Sequence, residues 1–381
     1  MNPLSIYIHW PFCLSKCPYC DFRSRKLPLD LSFDLWQKAY LQELTYYAAL
    51  LPDRTITTIY FGGGTPSLMP TSLVAAILEK IAALWPLASS CEITLEANPT
   101  SSSRPQFQAF RKAGINRLSL GVQALDDTSL RFLGRAHTAQ EALDSLEKAQ
   151  EIFDRVSIDL IYARAGQSPQ AWEAELSRAL RLGLTHLSLY QLTIEEGTPI
   201  FKRARTETLT VPEDDAAILF ELTQELTAAA GLPAYEISNH AVPGQESRHN
   251  LAYWTYAEYI GIGPAAHGRF IVDNRRTATE NDPVPQGWIE KITEKNQGTI
   301  SSFALDRIAA QEEALLMGLR LTKGLDLSAW QAKFGAAFSD FIPQEKIAPL
   351  IQTGYLEQTP TTLTATPQGR QCLNTLLSRL L

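Results

Sequence analysis

The feature that most constrains this chain is a regular alternation of short apolar runs with longer amphipathic stretches, from residue 1 to about residue 230. The runs Leu4–His9, Thr57–Phe61, Cys91–Glu96, Arg117–Leu120, Arg155–Leu160 and His186–Leu189 read as strands. Between them lie Phe33–Ala49, Ser72–Leu84, Arg104–Ala113, Ala139–Ile152 and Pro169–Leu182. Apolar residues recur there at three- and four-residue steps, as at Leu73, Ile77, Leu78 and Ile81. Gly114 and Gly183 follow helical stretches, where a left-handed cap is expected. Six such units in a row imply a parallel sheet covered by helices. Six fall short of the eight that close a full barrel, so the expected fold is α/β, an incomplete (β/α)6 barrel.

Parallel α/β barrels place their sites at the C-terminal ends of the strands. The first run leads into Cys13-Leu14-Ser15-Lys16-Cys17-Pro18-Tyr19-Cys20, three cysteines at C-x3-C-x2-C spacing on a loop at 10–24. Three thiolates on one loop can converge on a metal centre. Structural zinc takes four protein ligands, and His9 would be the fourth in a zinc knuckle. An iron–sulfur cube takes one cysteine per iron, so three cysteines leave one iron open to a small molecule. Both readings stand on the spacing alone.

The next strand ends carry further candidates. Gly62-Gly63-Gly64-Thr65-Pro66 follows the second, Glu96 ends the third, Gln123 follows the fourth, Asp159 lies near the end of the fifth, and Gln191 follows the sixth. A glycine run serves a tight turn or a close approach of backbone to ligand. Glu96 is a ligand contact or a solvated strand-end charge. Asp159 stands among apolar residues, where burial is costly without a partner, and Arg135 is a candidate partner.

The 381 residues are 45% hydrophobic, ample for a core and consistent with two domains. A formal net charge of −7 argues against a general nucleic-acid binder. No apolar run is long enough to span a bilayer, and no signal-peptide pattern opens the sequence. Five cysteines, three of them clustered, suit metal ligation in a reducing compartment, the cytoplasm, better than a disulfide framework. Cys91 and Cys372 read as ordinary thiols. We expect three regions: the barrel at 1–230, a connecting region at 231–300 packed on it, and a small α+β unit at 301–381. In the last, Ile308–Leu319, Leu327–Phe334, Glu345–Ile351 and Pro367–Leu380 read as helices, with a hairpin around Leu356 and Leu363.

The cysteine spacing, with Tyr19 just before the third cysteine, resembles the signature of the radical S-adenosylmethionine (SAM) superfamily. The wider stretch Ile6-Tyr7-Ile8-His9-Trp10-Pro11-Phe12-Cys13 resembles one branch, the oxygen-independent coproporphyrinogen III oxidases and the HemW heme chaperones. The resemblance covers nearly the whole chain. It implies a 4Fe-4S cluster on Cys13, Cys17 and Cys20, with SAM on the open iron and reductive cleavage of SAM to a 5′-deoxyadenosyl radical. It implies SAM contacts from Tyr7, Tyr19, Gly63, Gly64, Thr65, Glu96, Gln123, Arg135, Asp159 and Gln191. It also implies a winged-helix-like C-terminal domain, here without a basic cluster. The segment Tyr162-Ala163-Arg164-Ala165-Gly166-Gln167 departs from the family's usual Tyr-Gly-Leu-Pro-Gly-Gln.

Three features separate the branches. The oxidases carry a further cysteine where this chain has Phe22, and a long extension before a tyrosine that here is Tyr7, almost at the start. His249-Asn250-Leu251-Ala252-Tyr253-Trp254 matches the H-N-x-x-Y-W motif of HemW proteins. Imidazole is a natural axial ligand of heme iron, so His249 is the expected heme ligand. The plain alternative is that His249 packs in the core; His267 is a second candidate. The resemblance therefore implies heme as a third cofactor, with a heme-acceptor protein and a reductant for the cluster as partners. Peripheral association with membrane-bound acceptors fits this scheme. The rival reading is an oxygen-independent coproporphyrinogen III oxidase.

Overall fold

A computed structural model describes residues 2–381. Six parallel strands form its centre: β1 (Asn2–Trp10), β2 (Arg54–Gly63), β3 (Leu87–Ala97), β4 (Arg117–Gln123), β5 (Arg155–Tyr162) and β6 (His186–Gln191). They follow one another in sequence order across the sheet. Helices α1 (Phe33–Leu50), α2 (Thr71–Leu84), α3 (Arg104–Ala113), α4 (Ala139–Ile152) and α5 (Pro169–Leu180) connect them. Each expected strand is present but longer by one to several residues, because polar strand ends carry no apolar signal.

Local chemistry fixes the helix ends. Ser32, Ser103 and Ser168 accept from backbone amides three residues on, and Thr138 with Glu141 forms a capping box. Gly114 closes α3 with φ 117°, a conformation that costs other residues dearly.

The sheet grows at both ends. Beyond β6 lies β7 (Asn239–Ala241), antiparallel. Beyond β1 lie β8 (Tyr259–Ile262), parallel to β1, then antiparallel β9 (His267–Val272), β10 (Arg275–Asn281) and β11 (Thr299–Ala304). The eleven strands form one open sheet, and among the described residues its two ends do not pair. The region at 231–300 is thus partly sheet. Its polar strands, with buried Thr277, Thr279 and Asn281, escape a hydrophobic-pattern reading. Asp273 and Asn274 at φ 50° and 59° form the tight turn between β9 and β10.

One large core lies between the sheet and its helices, with Trp10, Trp36, Tyr40, Phe61, Phe107, Trp172 and Trp288 buried in it. Glu43 of α1 ties this core to the extension. Its carboxylate accepts from the amides of Gly263 and Gly298 (2.8 and 2.9 Å), Asn281 Nδ2 (3.0 Å) and Trp288 Nε1 (3.1 Å). Burial still pushes its pKa up to about 7.

A second core, around Trp330, Phe338, Leu363 and Leu377, belongs to the C-terminal segment. Helices pack there on a three-stranded antiparallel sheet of Leu325–Asp326, Thr362–Ala365 and Leu356–Gln358. Tyr256 reaches into this core. Its hydroxyl donates to Glu313 at 2.7 Å, and Arg269 pairs with the same carboxylate at 2.9 Å. The final expected helix is broken at Cys372 (φ −117°, ψ 33°) into Pro367–Gln371 and Leu373–Leu380.

Candidate functional site

A cavity of about 890 Å³ opens where β2 to β6 end. Its other wall comes from the C-terminal segment around Arg370–Thr375. The volume lies at the upper end of the range for small-molecule sites.

The cluster loop forms one side. Phe12–Cys13 pairs with Arg25–Lys26, closing the loop at its base. The glycine run then locks against it. Gly64 N donates to Trp10 O and Thr65 N to Phe12 O (2.6 and 2.9 Å). A Cβ on Gly64 would stand 2.6 Å from Phe12 O. A Cβ on Gly63, at φ 108°, would meet the His9 ring at 2.6 Å. These glycines therefore serve protein–protein closeness at the loop, a use the spacing did not separate from ligand approach. Gly134 does the same from the far side, its absent Cβ lying 2.5 Å from Pro18 Cδ.

Cys13, Cys17 and Cys20 are free thiols and all three line the cavity. Among the described residues no three His, Cys, Asp or Glu side chains close on a single-ion site. A cube with one cysteine per iron needs no such convergence. His9 turns away: Nδ1 is 3.1 Å from the Tyr7 hydroxyl and Nε2 3.3 Å from Arg23 O. A zinc knuckle through His9 therefore does not fit, whereas three thiols facing one cavity fit an open iron–sulfur centre. Arg135 Nη1 lies 3.4 Å from Cys17 Sγ and Nη2 2.8 Å from Gly121 O, a fixed cation that would offset thiolate charge.

The strand ends furnish the floor. Tyr60 donates to Glu96 at 2.8 Å. Burial raises the Glu96 pKa to about 7, against the pull of that hydrogen bond. Asp159 is raised to about 6 by burial, opposed by its bond to Ser188 and by Arg117. Its Oδ1 lies 3.3 Å from Ser119 Oγ. Two half-buried carboxyls on the cavity floor can take an ammonium or hydroxyl groups of a ligand. Gln123 enters the cavity from a bulge, at φ 75°. Holding a non-glycine residue there costs of order 1 kcal/mol or more.

Of the residues expected at SAM, the cavity is lined by Tyr19, Gly64, Thr65, Glu96, Gln123, Arg135, Asp159 and Gln191. Gly63 and Tyr7 stand behind the lining, Gly63 against His9 and Tyr7 stacked on Tyr60 at 6.2 Å. The sequence reading missed Tyr60, Arg117, Ser119, Ser188 and Tyr190, all lining residues. Their signal was a two-residue period of polar side chains along one face of the strands.

His249 is the correction. Expected to face a heme, it is 1% exposed below the cavity. Its Nδ1 meets Thr58 Oγ1 at 2.7 Å and its Nε2 meets the Tyr253 hydroxyl at 2.9 Å. Its ring stacks on Tyr60 at 5.0 Å. Burial, then Arg117, lowers its pKa to about 3. Both ring nitrogens are engaged by hydroxyls, so the imidazole's one lone pair is spent within the protein in this structure. His267 lies outside the lining as well, on β9.

An open α/β barrel with three cysteines on the loop after its first strand, facing carboxylates at later strand ends, defines a radical-SAM-type protein. Residues 7–179 match the Radical SAM superfamily and residues 305–372 the HemN C-terminal domain. Heme chaperone HemW of Escherichia coli is 35% identical over 384 residues, covering 100% of this chain and 99% of that one. The radical S-adenosyl methionine domain-containing protein 1, mitochondrial, of Danio rerio is 37% identical over 333 residues, covering 86% of this chain and 75% of its own. The solved coproporphyrinogen III oxidase HemN of Escherichia coli superposes with TM-score 0.84 at 21% identity, covering 100% of this chain and 90% of that one. That likeness speaks to the fold alone. The chain belongs to the radical SAM superfamily and, within it, to the family of the HemW proteins.

Proposed function

We propose that the protein is a heme chaperone: it binds a 4Fe-4S cluster, SAM and heme, and hands the heme to an acceptor protein. The observation that carries this is the full-length identity to proteins named heme chaperone HemW, joined to three thiols on one wall of the cavity. Cys13, Cys17 and Cys20 would hold the cluster, and Glu96, Gln123, Thr65 and Asp159 would orient SAM beside it. Bound there, the cluster would supply the electron that cleaves the sulfonium carbon–sulfur bond of SAM. The chain's own part is to fix the thiols, keep Arg135 beside Cys17 and exclude water with the C-terminal wall. Among the described residues no helix is long and apolar enough to cross a membrane.

Phe22, 57% exposed, stands where the oxidases carry their further cysteine. The test is anaerobic reconstitution, then two assays. Heme titration followed by transfer to an apo-globin should show stoichiometric binding and release. Incubation with coproporphyrinogen III, SAM and a reductant should yield no protoporphyrinogen. Protoporphyrinogen formation, or no heme uptake, would overturn the reading.

A further inference from the structure

The H-N-x-x-Y-W motif spends its imidazole on Thr58 and Tyr253 in this structure, yet Asn250 and Trp254 of the same motif lead to the cavity. Helix α6, the seven residues Arg248–Trp254, is N-capped by Ser247. Asn250 lines the cavity and is held by the Tyr235 hydroxyl at 3.2 Å. Trp254 lies under Arg320, whose guanidinium carbon is 5.6 Å from the indole centroid. Arg320 also lines the cavity. Among the described residues it gives no side-chain hydrogen bond and forms no ion pair.

Arg370 lines the same cavity. Its Nη1 donates to Ala365 O at 3.0 Å, while its Nε is buried without a partner. The barrel's two cavity arginines differ: Arg117 bonds Ser157, and Arg135 bonds Gly121 and Cys17. The cavity's acids are Glu96 and Asp159 on the barrel floor, with Asp21, Glu195 and Glu213 on the walls; none pairs with either C-terminal arginine within 4.0 Å. Glu236, near Arg320, spends Oε1 on Ser238 N and Asn239 Nδ2. Phe220, Ile237 and Leu373 supply apolar surface on the same cavity.

We infer that Arg320 and Arg370 form a carboxylate-binding subsite on the C-terminal wall, and that Trp254 positions Arg320 in it. Guanidinium groups with donors to spare beside apolar surface suit a flat apolar ring that carries carboxylates. Under the heme-chaperone reading, on which this rests, the carboxylates are the propionates of the porphyrin. The H-N-x-x-Y-W motif then serves heme through its tryptophan and asparagine, with His249 as the buried pin of its helix.

The test uses the full chain with its cluster reconstituted, titrated with heme and with heme dimethyl ester, whose carboxylates are blocked. Wild type should bind the acid about ten- to a hundredfold more tightly than the ester, the size of a charge-assisted hydrogen bond. Arg320→Ala and Arg370→Gln should each weaken the acid while leaving the ester unchanged. Trp254→Leu should weaken the acid alone, and should add nothing in an Arg320→Ala background. Ester binding unchanged in every variant reports an intact fold. Equal binding of acid and ester by wild type, or equal losses for both in the variants, overturns the subsite and leaves the chaperone reading standing. No binding of either by wild type overturns the chaperone reading, and the subsite with it. The carboxylate of SAM is the other source of the same chemistry, so SAM binding is read from the cluster's EPR signal. Loss of SAM binding in Arg320→Ala or Arg370→Gln, with heme binding kept, also overturns the assignment.

Discussion

The structure makes His249 a test of its own. Replacing it by Phe keeps a ring between Tyr60 and Tyr253 but strands the Thr58 and Tyr253 hydroxyls, which bond to it at 2.7 and 2.9 Å. Each buried hydroxyl left unpaired costs about 1–3 kcal/mol, so His249→Phe should lose about 2–6 kcal/mol. That is a large share of a domain's net stability of about 5–15 kcal/mol. Removing all three polar groups together, as Thr58→Val, Tyr253→Phe and His249→Phe, should recover most of the loss, since deleting both partners of a bond is nearly neutral. The measurement is urea unfolding of the barrel followed by far-UV circular dichroism, with Soret-band heme titration of each folded variant. The triple variant should bind heme as wild type does. A His249→Phe protein with an unchanged urea midpoint and no Soret titration would refute the argument and restore the ring to the iron. The pH dependence has a definite sign. Burial keeps the folded imidazole neutral down to about pH 3, whereas an unfolded histidine titrates near 6.5. Below about 6.5 the unfolded chain takes a proton the folded chain refuses, so the stability from His249 is full above that pH and falls as pH drops toward 3. The stability gap between wild type and His249→Phe should therefore narrow from pH 7 to pH 5.

Other perturbations read other parts of the molecule. Changing Cys13, Cys17 or Cys20 to Ser should abolish cluster assembly, whereas Cys91→Ser and Cys372→Ser should retain full iron; near-normal iron in Cys17→Ser would sink the ligand assignment. Gly64→Ala drives a Cβ to 2.6 Å from Phe12 O and should lower iron incorporation, while Gly166→Ala, with open space around it, should not. Glu43→Leu strands three buried donors, the amides of Gly263 and Gly298 and the Trp288 indole, and should cost roughly 3 kcal/mol or more in thermal or urea unfolding. Burial raises the Glu43 pKa to about 7, so its titration contributes stability in full below its unfolded value near 4.5 and loses it as pH rises through about 7; the gap to Glu43→Leu should shrink between pH 5 and pH 8.

The fold of the first 190 residues was legible because each element buries one apolar face against a single core. Helix α2 shows Leu73, Val74, Ile77, Leu78 and Ile81 at helical spacing, and all are buried. The extension strands were not legible. β10 buries Thr277, Thr279 and Asn281, the last of them bonded to Glu43 and Thr299, and polar burial of that kind leaves no hydrophobic pattern. The break at Cys372 was equally silent, since apolar spacing runs through it unchanged.

The site divides in the same way. Residues on the loop and at strand ends could be placed from sequence because the parallel barrel dictates where strand ends point. Within the strands, Arg117 and Ser119, Ser157 and Asp159, and Ser188 and Tyr190 alternate with apolar neighbours such as Leu118, Ile158 and Leu189. That period of two marks a polar barrel interior, and it was present in the sequence to be used. Arg320 and Arg370 carry no such mark: they reach the cavity only through packing of the C-terminal segment, far along the chain from the barrel. His249 shows why a motif resemblance stops short of a role. Four residues separate His249 from Tyr253, one helical turn, so the two share a face and bond to each other beneath the floor. Asn250, one position on, turns about 100° away and reaches the cavity. A ligand set read along the chain cannot distinguish those two directions; the N-cap at Ser247 and the carboxylate of Glu92, which accepts from the amides of Arg248 and His249, set them.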